Sequence, residues 1–151
     1  MSRQLRRAGR KSLQDLSSVY SEIILDYYRH PRNKGTIDHP QISAKDSNPL
    51  CGDIIEMQLE LDKNSNVSDV KFNGQGCAIS QASASMLTEL VKGKTIDDVR
   101  KISKEEILSL IGGQLSAVRL KCALLSLKVL KTGVYSYLGS ENNSKEELSE
   151  L

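Results

Sequence analysis

The chain has 151 residues, which fits one domain with a core large enough to need no disulfide staples. Hydrophobic residues make up 38% of it, with no tryptophan and one phenylalanine, so Leu, Ile, Val and Ala must build that core. A formal net charge of +2 argues against nucleic-acid binding by the whole domain, and no apolar run is long enough for a membrane span or a secretory core.

Arg3, Arg6, Arg7, Arg10 and Lys11 precede the first acidic residue, Asp15, so residues 1–16 read as a basic flexible tail. A transit peptide is the other reading of such a start, but the segment is short and lacks an apolar face, so a cytoplasmic location is expected. A helix starts at Ser17 or Ser18, with Leu16, Val19, Ile23, Ile24 and Tyr27 at helical spacing, and ends before Pro31. His30-Pro31-Arg32-Asn33-Lys34-Gly35 reads as a turn, and His30 and His39 as surface turn residues.

Residues 41–45 suggest an edge strand. Ile55, Met57, Leu59 and Leu61 alternate with Glu56, Gln58 and Glu60, which is the period of a strand with one buried face. The polar turn 62–66 and a second strand over 67–72 complete an antiparallel hairpin, which Gly74-Gln75-Gly76 breaks. Helices follow over about 77–91, 95–101, 103–110 and 116–131, the third opened by the capping-box spacing of Ser103 and Glu106. Glu141, Glu146, Glu147 and Glu150 mark residues 139–151 as an acidic flexible tail. A helix, then strands, then helices imply an α+β fold, with a small antiparallel sheet of about three strands and helices packed on one face. The domain spans residues 17–138.

The three cysteines make no disulfide framework in a chain without a secretory signal. Each has a suggestive setting. Cys51 and Asp53 are two apart around Gly52, which in extended chain puts both side chains on one face. Cys77 follows Gly74-Gln75-Gly76 and opens a helix, where free N–H groups favour the thiolate. Cys122 has Arg119 and Lys121 beside it, two cations expected to act in the same direction. Residue chemistry alone leaves two readings open: inert buried thiols, or one shared metal- and sulfur-handling site.

Longer strings narrow the choice. The segment from Tyr20 to Gly35, then Asn48-Pro49-Leu50-Cys51-Gly52-Asp53, then Gly74-Gln75-Gly76-Cys77-Ala78-Ile79-Ser80-Gln81-Ala82-Ser83, then Arg119-Leu120-Lys121-Cys122-Ala123-Leu124 occur in this order. Together they resemble the iron-sulfur cluster assembly family of IscU, SufU and the N-terminal domain of NifU. The resemblance implies that Cys51, Asp53, Cys77 and Cys122 bind zinc or an iron-sulfur cluster, most naturally a 2Fe–2S cluster. It implies a scaffold that takes persulfide sulfur from a cysteine desulfurase on Cys51 or Cys122 and passes a cluster to apo iron-sulfur proteins. It also implies a monomer or weak homo-oligomer. Lys121 stands where IscU-like members carry histidine, and the string from Arg119 to Cys122 is similar to SufU, a zinc-dependent sulfur acceptor. The insertion that SufU-like members carry before that string is absent. A zinc-stabilised interaction domain without sulfur chemistry would use the same four ligands.

Overall fold

The computed structural model describes residues 13–112, 115–139 and 151; most of both expected tails lies outside them. In chain order the elements are α1 (Leu13–Arg29), β1 (Ile42–Asn48), β2 (Asp53–Leu61), β3 (Val67–Gln75), α2 (Ala78–Val91), α3 (Ile96–Arg100), α4 (Lys104–Ile111) and α5 (Ala117–Leu138). Among the described residues the sheet has three antiparallel strands in the order β1-β2-β3, and the fold is α+β as expected.

The alternation in β2 decides which face is covered. Ile55, Met57, Leu59 and Leu61 are buried, whereas Glu56, Gln58 and Glu60 lie on the other face, at least partly open to solvent. Ile42 of β1 and Val70 and Phe72 of β3 join the buried side. Ala84, Leu87 and Val91 of α2 and Leu127, Leu130 and Val134 of α5 close the same cluster. A second, smaller cluster of Ala82, Met86, Ile111 and Ala123 joins α2, α4 and α5, with Ile24 and Tyr27 of α1 packed against it. The turn after α1 is pinned to α2, where the Arg32 N–H donates to Ser85 Oγ at 2.8 Å and Asn33 Nδ2 to Thr88 Oγ1 at 3.2 Å. It also borders β3 through Gly35 N–H to the Phe72 oxygen at 2.9 Å.

Several boundaries differ from the sequence reading. The first helix begins at Leu13, inside the stretch read as tail, and the edge strand runs on to Asn48. The break expected at Gly74 lies later, since β3 continues to Gln75. Gly74 pairs with Ile55, and a Cβ there would collide with the Ile54 carbonyl oxygen, so this glycine serves a close approach of two strands rather than a stop. The last helix passes 131 and ends at Leu138 under a left-handed Gly139. Thr132 and Gly133 are weak helix formers, but a Cβ on Gly133 would lie 2.9 Å from Ile42 Cγ2. Close packing of α5 on β1 therefore outweighs propensity.

Candidate metal centre

Local chemistry builds the Cys51 loop. Asn48 and Asp53 are register partners at the ends of β1 and β2, so residues 49–52 form the hairpin connection. Gly52 has φ +68°, which a side chain would disfavour. Asn48 is buried and folds the loop about itself. Its Oδ1 accepts the Leu50 N–H at 3.2 Å, its main-chain oxygen accepts the Cys51 N–H at 3.2 Å, and its Nδ2 donates to Cys51 Sγ at 3.6 Å. Cys51 is thereby half-buried, while Leu50 beside it is 76% exposed.

Asp53 has no exposed surface, and a buried carboxylate needs partners. Its Oδ1 accepts the Cys77 main-chain N–H at 2.8 Å. Cys77 is the N-cap of α2, where unpaired N–H groups and the helix dipole favour negative charge. Gly76 permits this approach, because a Cβ there would strike Asp53 Oδ1. Cys77 Sγ lies 3.8 Å from the other oxygen, Asp53 Oδ2.

Ser116 caps α5 by accepting the Arg119 N–H at 3.2 Å, and the helix then carries Cys122 inward, fully buried. Its Sγ stands 2.6 Å from Cys51 Sγ, and both thiols are free. Ligand atoms of Cys51, Asp53 and Cys122 lie within 4.8 Å of one another, and Cys77 adjoins this group through Asp53. Neither histidine joins it.

The donor set fits a metal. A tetrahedral ion about 2.3 Å from sulfur and about 2.0 Å from oxygen sets neighbouring ligand atoms roughly 3.5–3.8 Å apart. The Cys77–Asp53 separation of 3.8 Å is already at that value. The Cys51–Cys122 pair must open by roughly 1 Å, which a turn of the half-buried Cys51 side chain supplies. Two soft sulfurs and one hard oxygen, with Cys77 Sγ alongside that carboxylate, suit zinc, or iron-sulfur cargo held less firmly than by four thiolates.

The electrostatics correct one expectation. Arg119 does face the sulfurs: Cys77 first, then Cys122, raise the affinity of its guanidinium for its proton. Lys121 does not, because its side chain is exposed and Nζ donates to the main-chain oxygen of Leu151 at 3.3 Å. Burial pushes the Cys122 thiol above the usual thiol range, and Cys51 and Asp53 push it the same way. One cation loses to desolvation and two acidic neighbours, so Cys122 keeps its proton until a metal supplies the missing positive charge. Two contributors escaped the sequence reading: Asn48 as the organiser of the loop, and Gly76 as the cradle of Asp53. An Asn followed by proline three residues before a cysteine was a signal for the first.

The family of the NifU-like N terminal domain matches residues 19–144. The chain belongs to this family. Its NifU-like domain is 39% identical over 137 residues to the zinc-dependent sulfurtransferase SufU of Bacillus subtilis, covering 80% of this chain and 92% of that protein. It is 32% identical over 131 residues to the iron-sulfur cluster assembly scaffold protein IscU of Rickettsia prowazekii, covering 85% and 98%. Among solved structures it resembles one described as a scaffold protein for the SUF system of Fervidobacterium islandicum, at 28% identity and TM-score 0.64, covering 78% and 97%. The N-terminal part of a NifU-like protein from Brucella abortus shares the fold at TM-score 0.67 and 21% identity, over 85% and 99% of the chains.

Proposed function

We propose that this NifU-like protein is an iron-sulfur cluster assembly scaffold that receives persulfide sulfur from a cysteine desulfurase. It binds iron and the nascent cluster, or zinc, through Cys51, Asp53, Cys77 and Cys122, and hands the cluster to apo-proteins. The observation that carries this reading is the convergence of two sulfurs and a carboxylate from two distant stretches of chain, with a third sulfur adjoining from another. The family works with cysteine desulfurases in iron-sulfur assembly, and the IscU relative supports the scaffold role. The site of action is the cytoplasm, as a monomer or weak homo-oligomer and without nucleic acid; no described helix is long and apolar enough to cross a membrane.

Accessibility favours Cys51 as the sulfur acceptor, since it is half-buried on a loop whereas Cys122 is sealed and protonated. The Cys51 thiolate attacks the outer sulfur of the desulfurase persulfide. A new S–S bond forms on Cys51, and the desulfurase cysteine leaves as thiolate. Arg119 supplies positive charge beside the other two sulfurs. Asp53, oriented by the Cys77 N–H, offers the hard, weaker fourth donor that a scaffold needs in order to release cargo.

A second reading, a SufU-like zinc-dependent sulfurtransferase, is favoured by the 39% identity and by Lys121 in the histidine position. Zinc would then be held by the same four residues and would keep the three cysteines as thiolates. Anaerobic reconstitution with iron and sulfide separates the two. A charge-transfer spectrum with stoichiometric iron supports the scaffold, and tight zinc without a cluster supports the transferase. Mass spectrometry after incubation with a desulfurase and cysteine must find a 32-Da sulfur adduct; zinc binding with no adduct on any cysteine leaves only an interaction domain.

A further inference from the structure

The proposed sulfur transfer leaves one thiol without a role. Cys51 accepts, Cys77 adjoins Asp53, and Cys122 is sealed from solvent. Yet Cys122 Sγ stands 2.6 Å from Cys51 Sγ, about 0.6 Å beyond the length of a disulfide bond. The two thiols come from separate parts of the fold, the β1–β2 connection and α5, and both are free. Cys51 is half-buried, so it has an open side for a second sulfur, while its other side is held by Cys122. A persulfide delivers that second sulfur two electrons short of the sulfide that a cluster contains.

We propose that Cys122 is the resolving thiol for a persulfide on Cys51: it attacks Cys51 Sγ, closes a Cys51–Cys122 disulfide and expels the outer sulfur as hydrosulfide. This step rests on the acceptor role given to Cys51 above. Its atoms and electrons balance. The Cys122 proton passes to the anionic outer sulfur, a base that the resting site lacks. The persulfide S–S bond breaks, and its electron pair leaves with the hydrosulfide. The new S–S bond forms with an electron pair of Cys122. The outer sulfur gains two electrons, and the two cysteines together lose two. Thiols in contact within one chain react at an effective concentration that no solution thiol reaches. Arg119, which faces Cys77 and Cys122, offers the hydrosulfide a nearby cation. The disulfide removes two of the four proposed ligands. An external dithiol must therefore return two electrons before metal is held, which places a thiol–disulfide reduction between sulfur delivery and cluster binding.

The test uses the full-length, metal-free protein, reduced and then freed of small thiols without oxygen. The persulfide is installed in two ways, by a cysteine desulfurase with one equivalent of cysteine and by one equivalent of inorganic polysulfide. Non-reducing peptide mass spectrometry follows both over time. Wild type should form a Cys51–Cys122 disulfide at the rate at which the sulfur adduct on Cys51 disappears, with Cys77 still open to iodoacetamide. In the desulfurase arm each disulfide should release one sulfide. Cys122→Ser should hold the adduct on Cys51 roughly tenfold longer. Equal adduct lifetimes in the two proteins overturn the proposal. So does an adduct that moves to Cys122, or a disulfide that joins Cys51 to Cys77 or to a second chain. If Cys122→Ser does not fold, wild type decides alone, by whether that disulfide replaces the adduct. A desulfurase that leaves neither adduct nor disulfide on either protein refutes the proposed function, while the polysulfide arm still decides the resolving step.

Discussion

At the scale of single residues, Asp53 is the pivot, because it is buried, oriented by one N–H and touched by Gly76. Gly76→Ala should therefore act on the carboxylate. With φ at +147° and a collision with Oδ1, it is expected to destabilise the fold by about 1–3 kcal/mol and to lower zinc affinity. Urea unfolding and competition with a chromophoric chelator measure the two effects. Cys122 carries a pH signature. Its folded pKa is raised above the unfolded value, so its contribution is fully present below the ordinary thiol pKa of 9.0 and drains away as pH rises beyond it. Metal-free wild type should lose more stability between neutral and alkaline pH than Cys122→Ala does. Urea midpoints on both sides of that pKa check the difference, and zinc loading should remove it, since the bound sulfur is already deprotonated. The sequence named the three cysteines and Asp53, but the state of Cys122 was misjudged. Counting cations along the chain does not reveal that Lys121 turns away.

At the scale of elements, local signals were legible wherever they carry their own chemistry. Ser103 and Glu106 form the expected capping box, with Ser103 N–H to Glu106 Oε2 at 2.8 Å and Glu106 N–H to Ser103 Oγ at 3.2 Å. Ser103→Ala should cost about 1 kcal/mol and leave zinc content unchanged, because α4 supports the core without supplying a ligand. Thermal melts with metal analysis test this pair of outcomes. The ends of β3 and α5 were not legible, since each depends on a glycine whose reason lies in a neighbouring element. Gly133→Val makes the point experimentally. The added carbons have no room between Ile42 and Ala44, so overpacking is expected to cost roughly 1–3 kcal/mol. Because α5 carries Cys122, the same variant should also weaken zinc binding, which Ser103→Ala should not.

At the scale of the whole molecule, the site is a junction. The hairpin loop brings Cys51 and Asp53 and α5 brings Cys122, while Cys77 at the start of α2 adjoins them through Asp53. A ligand that ties these elements together binds only the folded chain, so zinc should raise the melting temperature. At free metal a thousandfold above Kd the gain is about 4 kcal/mol, or roughly 10 °C for a domain of this size. Calorimetry with and without a chelator measures it, and no shift would mean that the four side chains do not act as one site. By itself the sequence determined the α+β class and the buried face of β2, and it offered the cysteines and Asp53 as candidates. Those follow from periodicity and residue chemistry, which are local. Only the tertiary structure decided the rest: that Gly76 shapes the bed of Asp53, that Asn48 grips Cys51, that Cys122 keeps its proton and that Leu151 returns to Lys121. Each depends on a distance between residues far apart along the chain, and packing of the helices on the sheet sets that distance.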